Sequence, residues 1–193
     1  MDIGKLAGFK RTYNKLWRVE EKLRPSELME MFWTFFGGFI GIACIGLLQS
    51  YFHDFSPSGQ LFLIGSFGAS AVLVYGSPKS PLAQPRNLIL GHLTSAFIGV
   101  TVYKFVGEYE VIWLSCGLAV GMAIIGMQLT KSLHPPGGAT ALIAVIGTEK
   151  VKTLGYYYLL SPVFSGVLIL FIVGIIINNI PKNRQYPLGK NKK

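Results

Sequence analysis

Long apolar stretches separated by short polar segments make up most of this chain. Four stretches have the length of a membrane-spanning helix, and two others are shorter or interrupted. The long stretches cover about 28–50, 88–105, 111–130 and 156–180, and the short ones cover 61–75 and 137–147. The pattern predicts an all-α, polytopic helical membrane protein with four strong and two short or broken transmembrane segments.

Two polar segments rich in proline or glycine break this apolar pattern. The segment 76–87 contains three prolines, which forbid a continuous helix. The segment 131–142 reads Lys-Ser-Leu-His-Pro-Pro-Gly-Gly-Ala-Thr-Ala-Leu. In both, Lys-Ser stands a few residues before a proline that precedes an apolar stretch, which hints at an internal repeat. Paired, interrupted segments in corresponding positions indicate a transport site in membrane proteins.

The pattern also divides the chain into three regions. In residues 1–25, apolar positions spaced three and four apart alternate with lysines and arginines, which is typical of an amphipathic helix on a membrane surface. Packing of this helix on the protein's own cytoplasmic face is an equally open alternative. Residues 26–181 form the predicted transmembrane domain, and residues 182–193 form a basic polar tail.

The formal net charge of +9 comes from Lys and Arg residues that cluster at the two ends of the chain. Such clusters orient membrane spans, so the charge does not indicate a nucleic-acid partner. Six crossings with both termini inside place most of these residues on the cytoplasmic side. A re-entrant 137–147 segment would put the positive tail outside, so a short crossing is preferred. The expected location is the bacterial inner membrane, with both termini cytoplasmic.

The polar residues of the interrupted segments are hydrogen-bond donors rather than acids. All nine Asp and Glu residues lie in polar segments or near the ends of apolar stretches, whereas a cation transporter usually keeps a carboxylate at membrane depth. Helices that begin at Pro85 and Pro135 would offer free backbone N–H groups and a positive dipole end to an anion. The predicted anion-binding residues are Lys131, Ser132, His134, Gly137, Gly138, Thr140, Gln84, Arg86, Asn87 and His92.

Structural interpretations of the same residues stay open beside this one. Prolines and glycines occur at ordinary helix turns, His92 suits an interhelical hydrogen bond, and Arg86 could serve only to orient the chain. No nucleophile–base pair stands out, so no enzymatic activity is expected. Cys44 and Cys116 lie singly in apolar stretches, so neither a metal site nor a cofactor is predicted.

At this point the residues resemble a known family. The stretch around His134-Pro135-Pro136 looks like the signature of the HPP family of integral membrane proteins. The stretch 76–92, from Gly-Ser-Pro-Lys-Ser-Pro to His92, is similar to that family's second motif, and the resemblance covers about residues 28–180. Members in cyanobacteria and chloroplasts are implicated in nitrite transport, which the resemblance implies here. The family is usually described with four spans.

The residues and the resemblance lead to one hypothesis, a transporter or channel for a small monovalent anion in the lipid bilayer, with nitrite as its substrate. The alternative is a non-transporting membrane scaffold or assembly subunit. The glycine-rich helix faces would also suit a homo-oligomer, although packing within one chain explains them equally well.

Overall fold

The computed structural model describes residues 24–51, 65–107 and 111–189, which are largely helical and contain no strand. The helices are α1 (Pro25–Tyr51), α2 (Gly65–Ala71), α3 (Pro85–Val102), α4 (Ile112–Leu129), α5 (Pro135–Ile146), α6 (Glu149–Leu154) and α7 (Ser165–Asn178). Tighter or wider helical turns adjoin them at Val72–Gly76, Pro81–Ala83, Tyr103–Gly107, Gly155–Leu159 and Leu160–Phe164. The amphipathic helix predicted at the N-terminus lies almost wholly outside the described residues.

Four helical segments of the described ranges are long and apolar enough to cross a membrane: Pro25–Leu48, Pro85–Gly107, Ile112–Leu129 and Glu149–Asn178. Gly65–Gly76 and Pro135–Ile146 are apolar but shorter. At about 1.5 Å per residue, the 12 residues of α5 reach a little over half the thickness of the hydrocarbon core. The prediction of an all-α membrane protein with four strong and two short segments is therefore confirmed.

The chain divides into two compact units, Met1–Phe32 and Trp33–Lys193. The first is described only from Arg24 onward, where the Arg24 guanidinium pairs with Glu27 in the first turn of α1 at 2.7 Å. In addition, the Arg24 backbone N–H donates to the Glu27 carboxylate at 2.7 Å. This carboxylate therefore satisfies a backbone donor at the start of the first long span.

Within the second unit, successive segments run in alternating directions. Thr34, in α1, donates to Tyr75 O at 3.1 Å, and Asn178, which ends α7, donates to Val74 O at 2.9 Å. Far from these residues, Thr101 near the end of α3 meets the Tyr156 hydroxyl at 3.1 Å. One end of this unit therefore joins the turn after α2, the end of α7 and the polar segments 76–87 and 130–134. It is called the basic end, because Lys79, Arg86 and Lys131 are exposed there.

Helices α3 and α5 lie parallel and touch through small residues. A Cβ atom added to Gly91 would lie 2.6 Å from His134 Cβ, and one added to Gly99 would lie 2.5 Å from Ala141 O. The contacts advance in the same direction along both helices, so both helices begin toward the basic end. Small residues allow such close approach between helices in a membrane.

The last long segment is broken next to Pro162. Ser161 has an extended backbone (φ −137°, ψ 122°) between two helical turns. The helical conformation is unfavourable for a residue that precedes proline, because the proline ring clashes with its backbone. The helical turns before Ser161 are therefore separated by a kink from the turn that leads into α7.

The C-terminal segment folds back onto the basic end. Arg184 is only 6% exposed and donates hydrogen bonds to Tyr75 O at 3.1 Å and to Thr34 Oγ1 at 2.8 Å. The Tyr186 hydroxyl donates to Ala83 O at 2.8 Å. Burial raises the pKa of the Tyr186 hydroxyl, so it stays protonated and keeps this hydrogen bond. The first residues of the predicted polar tail are thus part of the folded domain.

Candidate functional site

The two interrupted segments meet each other at the basic end. His134 Nδ1 lies 2.8 Å from Leu82 O, and Asn87 Nδ2 donates to Leu133 O at 2.7 Å. Arg86 is exposed, and its guanidinium donates to Thr130 O at 2.8 Å. The side chains that precede or begin each helix therefore bind the backbone of the other segment. The two segments are therefore in contact, whereas the internal repeat suggested by their shared Lys-Ser and Pro stays a prediction.

A buried polar cluster lies next to this contact, between α2, α3 and α5. It is called the serine–histidine cluster and consists of Ser66, Ser70, His92, His134 and Thr140, all with 0% exposure. Buried polar groups in a membrane protein must find partners among themselves, because lipid supplies none.

Short hydrogen-bond distances join the members of the cluster into one chain. Ser70 Oγ lies 2.7 Å from His92 Nε2 and 3.0 Å from His134 Nε2, so one hydroxyl bridges both rings. His92 Nδ1 lies 2.7 Å from Thr140 Oγ1, which in turn donates to Ser66 Oγ at 2.9 Å. The two ring centroids are 4.9 Å apart. The chain thus runs continuously from Leu82 O, through both histidines, to Ser66.

The first turn of α5 differs on its two sides. His134 is the extended residue before the helix, and Gly137 N–H donates to His134 O at 2.8 Å. A Cβ on Gly137 would lie 2.7 Å from Ser95 Oγ and 2.9 Å from Met127 Sδ, so this side is closely packed. A Cβ on Gly138 would meet nothing nearer than Val120 Cγ1 at 3.9 Å. There is therefore room beside Gly138 but not beside Gly137.

Ser95 adds an unusual feature to this turn. Its side chain is fully buried on α3, against Gly137. Among the described residues, Ser95 Oγ is the buried side-chain polar atom with no hydrogen-bond partner. A buried hydroxyl without a partner costs about 1–3 kcal/mol, so its position beside a helix N-terminus calls for a physical explanation.

The other predicted binding residues have structural partners or lie at the surface. Gln84 Nε2 donates to Pro78 O and Ser80 O at 3.0 and 2.8 Å, and Gln84 Oε1 accepts from Leu188 N–H at 2.8 Å. Ser132 is buried, with its Oγ 2.6 Å from Thr130 Oγ1. Lys131 is exposed in the turn that follows α4. The structure therefore brings His92, His134 and Thr140 into one cluster, with Gly137 and Gly138 beside it.

Two residues of the cluster, Ser66 and Ser70, were not among the residues predicted from the sequence. They stand four positions apart, so they share one face of the short helix α2. Ser70 Oγ also donates to Ser66 O at 3.1 Å within that helix. A pair of serines at helical spacing in a short apolar stretch was the available signal. It was overlooked because serines at that spacing also suit ordinary helix packing.

Among the residues that the structure describes, no carboxylate lies beside the cluster. In the described part of the unit from Trp33 onward, the carboxylate side chain is Glu149, and it pairs with Lys152 at 3.0 Å beyond the other end of α5. No group of three or more His, Cys, Asp or Glu side chains suited to a metal occurs in the described residues. The cluster can donate and accept hydrogen bonds, and no carboxylate of the described ranges lies near it.

The model of the HPP transmembrane region matches residues 23–187 of this chain. The chain belongs to the HPP transmembrane family. Two transmembrane proteins of Dictyostelium discoideum are each 45% identical to it, over 181 and 166 residues. These alignments cover 91% and 84% of the chain but 56% of each relative, so the chain spans little more than half of their length. No solved structure matches.

The family resemblance carried by the two motifs is thus confirmed, and with it an integral, multi-pass membrane protein. The names of the two relatives describe them only as transmembrane proteins. Those names give no substrate, so the nitrite transporter-like subtype stays a prediction. The bacterial inner membrane and the cytoplasmic termini also stay predictions, and both relatives come from Dictyostelium discoideum.

Proposed function

We propose that this HPP family protein is a transporter or channel for small monovalent anions, with nitrite as the first candidate. The observation that carries the proposal is the buried Ser95 hydroxyl, which lacks a hydrogen-bond partner beside the first turn of α5. An anion at this turn would accept the Ser95 hydrogen and would face the positive end of the helix dipole. The Ser95 hydroxyl, which is unsatisfied among the described residues, would then gain a hydrogen bond when the anion binds.

Space and charge around this turn are compatible with the proposal. Gly138 leaves room beside the helix start, and glycine lets a ligand approach the backbone closely. Ser95 Oγ lies on the closely packed Gly137 side, so an anion that accepts its hydrogen must displace the flexible Met127 side chain. Lys79, Arg86 and Lys131 are exposed at the basic end, so their combined field attracts anions toward the buried turn. Cations would meet no carboxylate among the described residues around the cluster, which favours anions as the transported class.

The direct test is anion flux into liposomes that contain the purified protein, with nitrite, nitrate and chloride compared at pH 8. Nitrous acid crosses bilayers unaided, so the flux into protein-free vesicles is subtracted. We expect saturable, protein-dependent flux of nitrite, and of nitrate at a different rate. A flux indistinguishable from that of empty vesicles for all three anions would leave the scaffold alternative as the better description.

A matched pair of serine variants tests the site itself. Ser95→Ala removes the unpartnered hydroxyl, whereas Ser115→Ala removes a buried hydroxyl that donates to Val111 O at 3.4 Å on α4. Without anion, Ser95→Ala should not destabilise the protein, because it removes an unsatisfied group. Nitrite at ten times its Kd should stabilise the wild type and Ser115→Ala by about 1.4 kcal/mol. Equal stabilisation of Ser95→Ala would exclude Ser95 from the site.

A further inference from the structure

The Met127 side chain lies where the end of α4 meets the start of α5. It is 1% exposed, and its sulfur accepts a hydrogen bond from the His134 backbone N–H at 3.4 Å. His134 is the residue just before α5, and a thioether sulfur is a weak acceptor. A buried backbone N–H at a helix start therefore has a weak partner, although the interior of a membrane supplies no water to replace it.

The same sulfur also lies beside the unpartnered hydroxyl of Ser95. A Cβ added to Gly137 would lie 2.9 Å from Met127 Sδ and 2.7 Å from Ser95 Oγ, so both atoms border one position. Ser95 Oγ has no hydrogen-bond partner among the described residues. Two donors, the His134 N–H and the Ser95 O–H, thus surround a thioether that satisfies one of them weakly and the other not at all.

The Met127 side chain can move while its backbone stays in place. The Met127 carbonyl accepts from Ser132 N–H at 2.8 Å, which fixes the end of α4. Methionine is unbranched and has three rotatable side-chain bonds. Val120, seven positions earlier on the same face of α4, is the nearest neighbour of a Cβ added to Gly138, at 3.9 Å. Met127 and the open side of the α5 start therefore lie along one face of α4, so rotation of the thioether, rather than movement of a helix, can uncover Ser95.

We propose that Met127 is the gate of the anion site, and that the bound anion replaces its sulfur as the acceptor of the His134 N–H and the Ser95 hydroxyl. This inference rests on the proposed function and adds the residue that controls access to its site. The exchange replaces one weak hydrogen bond by two charge-assisted ones, which are about twice as strong as neutral ones. Because the site takes an anion after the thioether has turned away, the apparent affinity is lowered by the fraction of molecules in which it has turned.

Two substitutions of Met127 should change nitrite affinity in opposite directions. Met127→Ala removes the group that must be displaced, so nitrite at pH 8 should bind about three- to tenfold more tightly. Met127→Gln keeps an unbranched chain but supplies a strong acceptor oxygen to the same donors, so binding should weaken about three- to tenfold. Isothermal titration calorimetry of the purified protein measures both effects.

Met122 provides the matched control for these variants. It lies on the same helix but is 47% exposed. Met122→Ala and Met122→Gln should therefore bind nitrite as the wild type does. Weaker binding in both Met127 variants, or unchanged binding in both, would mean that Met127 only packs the α4–α5 contact and would overturn the gate.

A methyl NMR measurement follows the gate in the wild-type chain and does not depend on the folding of Met127→Ala. The chain contains five methionines, so labelling of their methyl carbons gives few signals. Met127→Leu, which nearly conserves side-chain volume, identifies the Met127 signal by its loss. Saturating nitrite should shift the Met127 signal and leave the Met122 signal in place. In Ser95→Ala, the same shift should require about three- to tenfold more nitrite, because one donor to the anion is missing.

The two measurements separate the gate from the proposed function. Nitrite that binds the wild type in calorimetry but leaves the Met127 methyl signal unmoved would overturn the gate and leave anion transport intact. Wild-type protein that neither binds nor transports nitrite would overturn the proposed function and the gate together.

Discussion

Helices α3 and α5 both begin with an extended residue followed by proline, but the side chains of the two extended residues have different partners. Gln84 and His134 are the extended residues before the two helices, and each is followed by proline at the first helical position. The Gln84 amide is fully used in holding segment 78–80 and the C-terminal segment. The His134 ring instead connects Leu82 O to a buried chain of polar side chains.

In both cases the proline determines where the helix begins. The side chain before the proline determines which groups are hydrogen-bonded at that helix start. Proline lacks a backbone N–H, so neither helix has an N–H donor that needs an acceptor at its first position. The primary amide has two donor hydrogens and an acceptor, and loop backbone satisfies them completely. An imidazole has two nitrogens on opposite edges of a ring, so it can connect a backbone carbonyl to a second group farther inside.

The largest expected effect separates the two sides of the α5 start. Gly137→Val should prevent stable folding, because even a Cβ there would lie 2.7–3.0 Å from Ser95 Oγ, Met127 Sδ and Gly91 O. Gly138→Val should fold and insert, because the nearest atom to its Cβ is 3.9 Å away, but nitrite flux should fall at least about tenfold, equivalent to about 1.4 kcal/mol. Size-exclusion profiles and flux per folded molecule measure the two effects. Normal flux through folded Gly138→Val would remove this turn from the pathway.

The next prediction exchanges the roles of the two residues before the prolines. His134→Gln should keep the fold but lower anion flux about tenfold or more, because glutamine cannot bridge Leu82 O and Ser70 Oγ through a rigid ring. Gln84→Ala should instead reduce stability by about 1–3 kcal/mol, because it leaves loop backbone groups without partners. Thermal unfolding and flux normalised to folded protein distinguish the two outcomes. Similar flux losses in both variants would mean that the two helix starts do not differ in function.

The sequence predicted the architecture better than it predicted the site. Apolar length and the prolines of the interrupted segments predict the long spans and the two short segments, because these depend on local constraints of the backbone in lipid. His92, His134 and Thr140 were predicted in one site, since polar residues in apolar stretches are costly unless partnered. Ser70 was not predicted, because its role depends on which helices pack against α2. The residue pattern of α2 alone does not contain that information.

Tyr186→Phe should have a smaller effect, confined to stability. The Tyr186 hydroxyl donates to Ala83 O, next to the Leu82 carbonyl that binds His134. Loss of this hydrogen bond should cost about 1 kcal/mol, because Ala83 O would lose its bond from a buried hydroxyl while the aromatic ring still packs. Flux per folded molecule should change less than twofold. A large loss of flux from a stable Tyr186→Phe protein would show that the C-terminal segment helps to position the site.

The smallest expected effect on stability concerns Lys131, which follows the end of α4. Lys131 has a positive φ of 51°, and Ser132 N–H donates to Met127 O at 2.8 Å while Lys131 N–H donates to Gln128 O at 3.0 Å. These two bonds form a Schellman motif, in which glycine is the usual residue at the left-handed position. A lysine there costs about 1 kcal/mol relative to glycine.

Lys131→Gly should therefore raise stability by up to about 1 kcal/mol. If the exposed ammonium attracts anions to the basic end, the same change should weaken anion binding two- to threefold at low salt, and the difference should vanish near 1 M salt, where the screening length is about 3 Å. Lys131→Arg keeps the charge and the backbone strain, so it should resemble the wild type in both respects. Stabilisation with unchanged binding at low salt would show that Lys131 contributes only to the positive charge that orients the chain, and that anion binding depends on the buried start of α5.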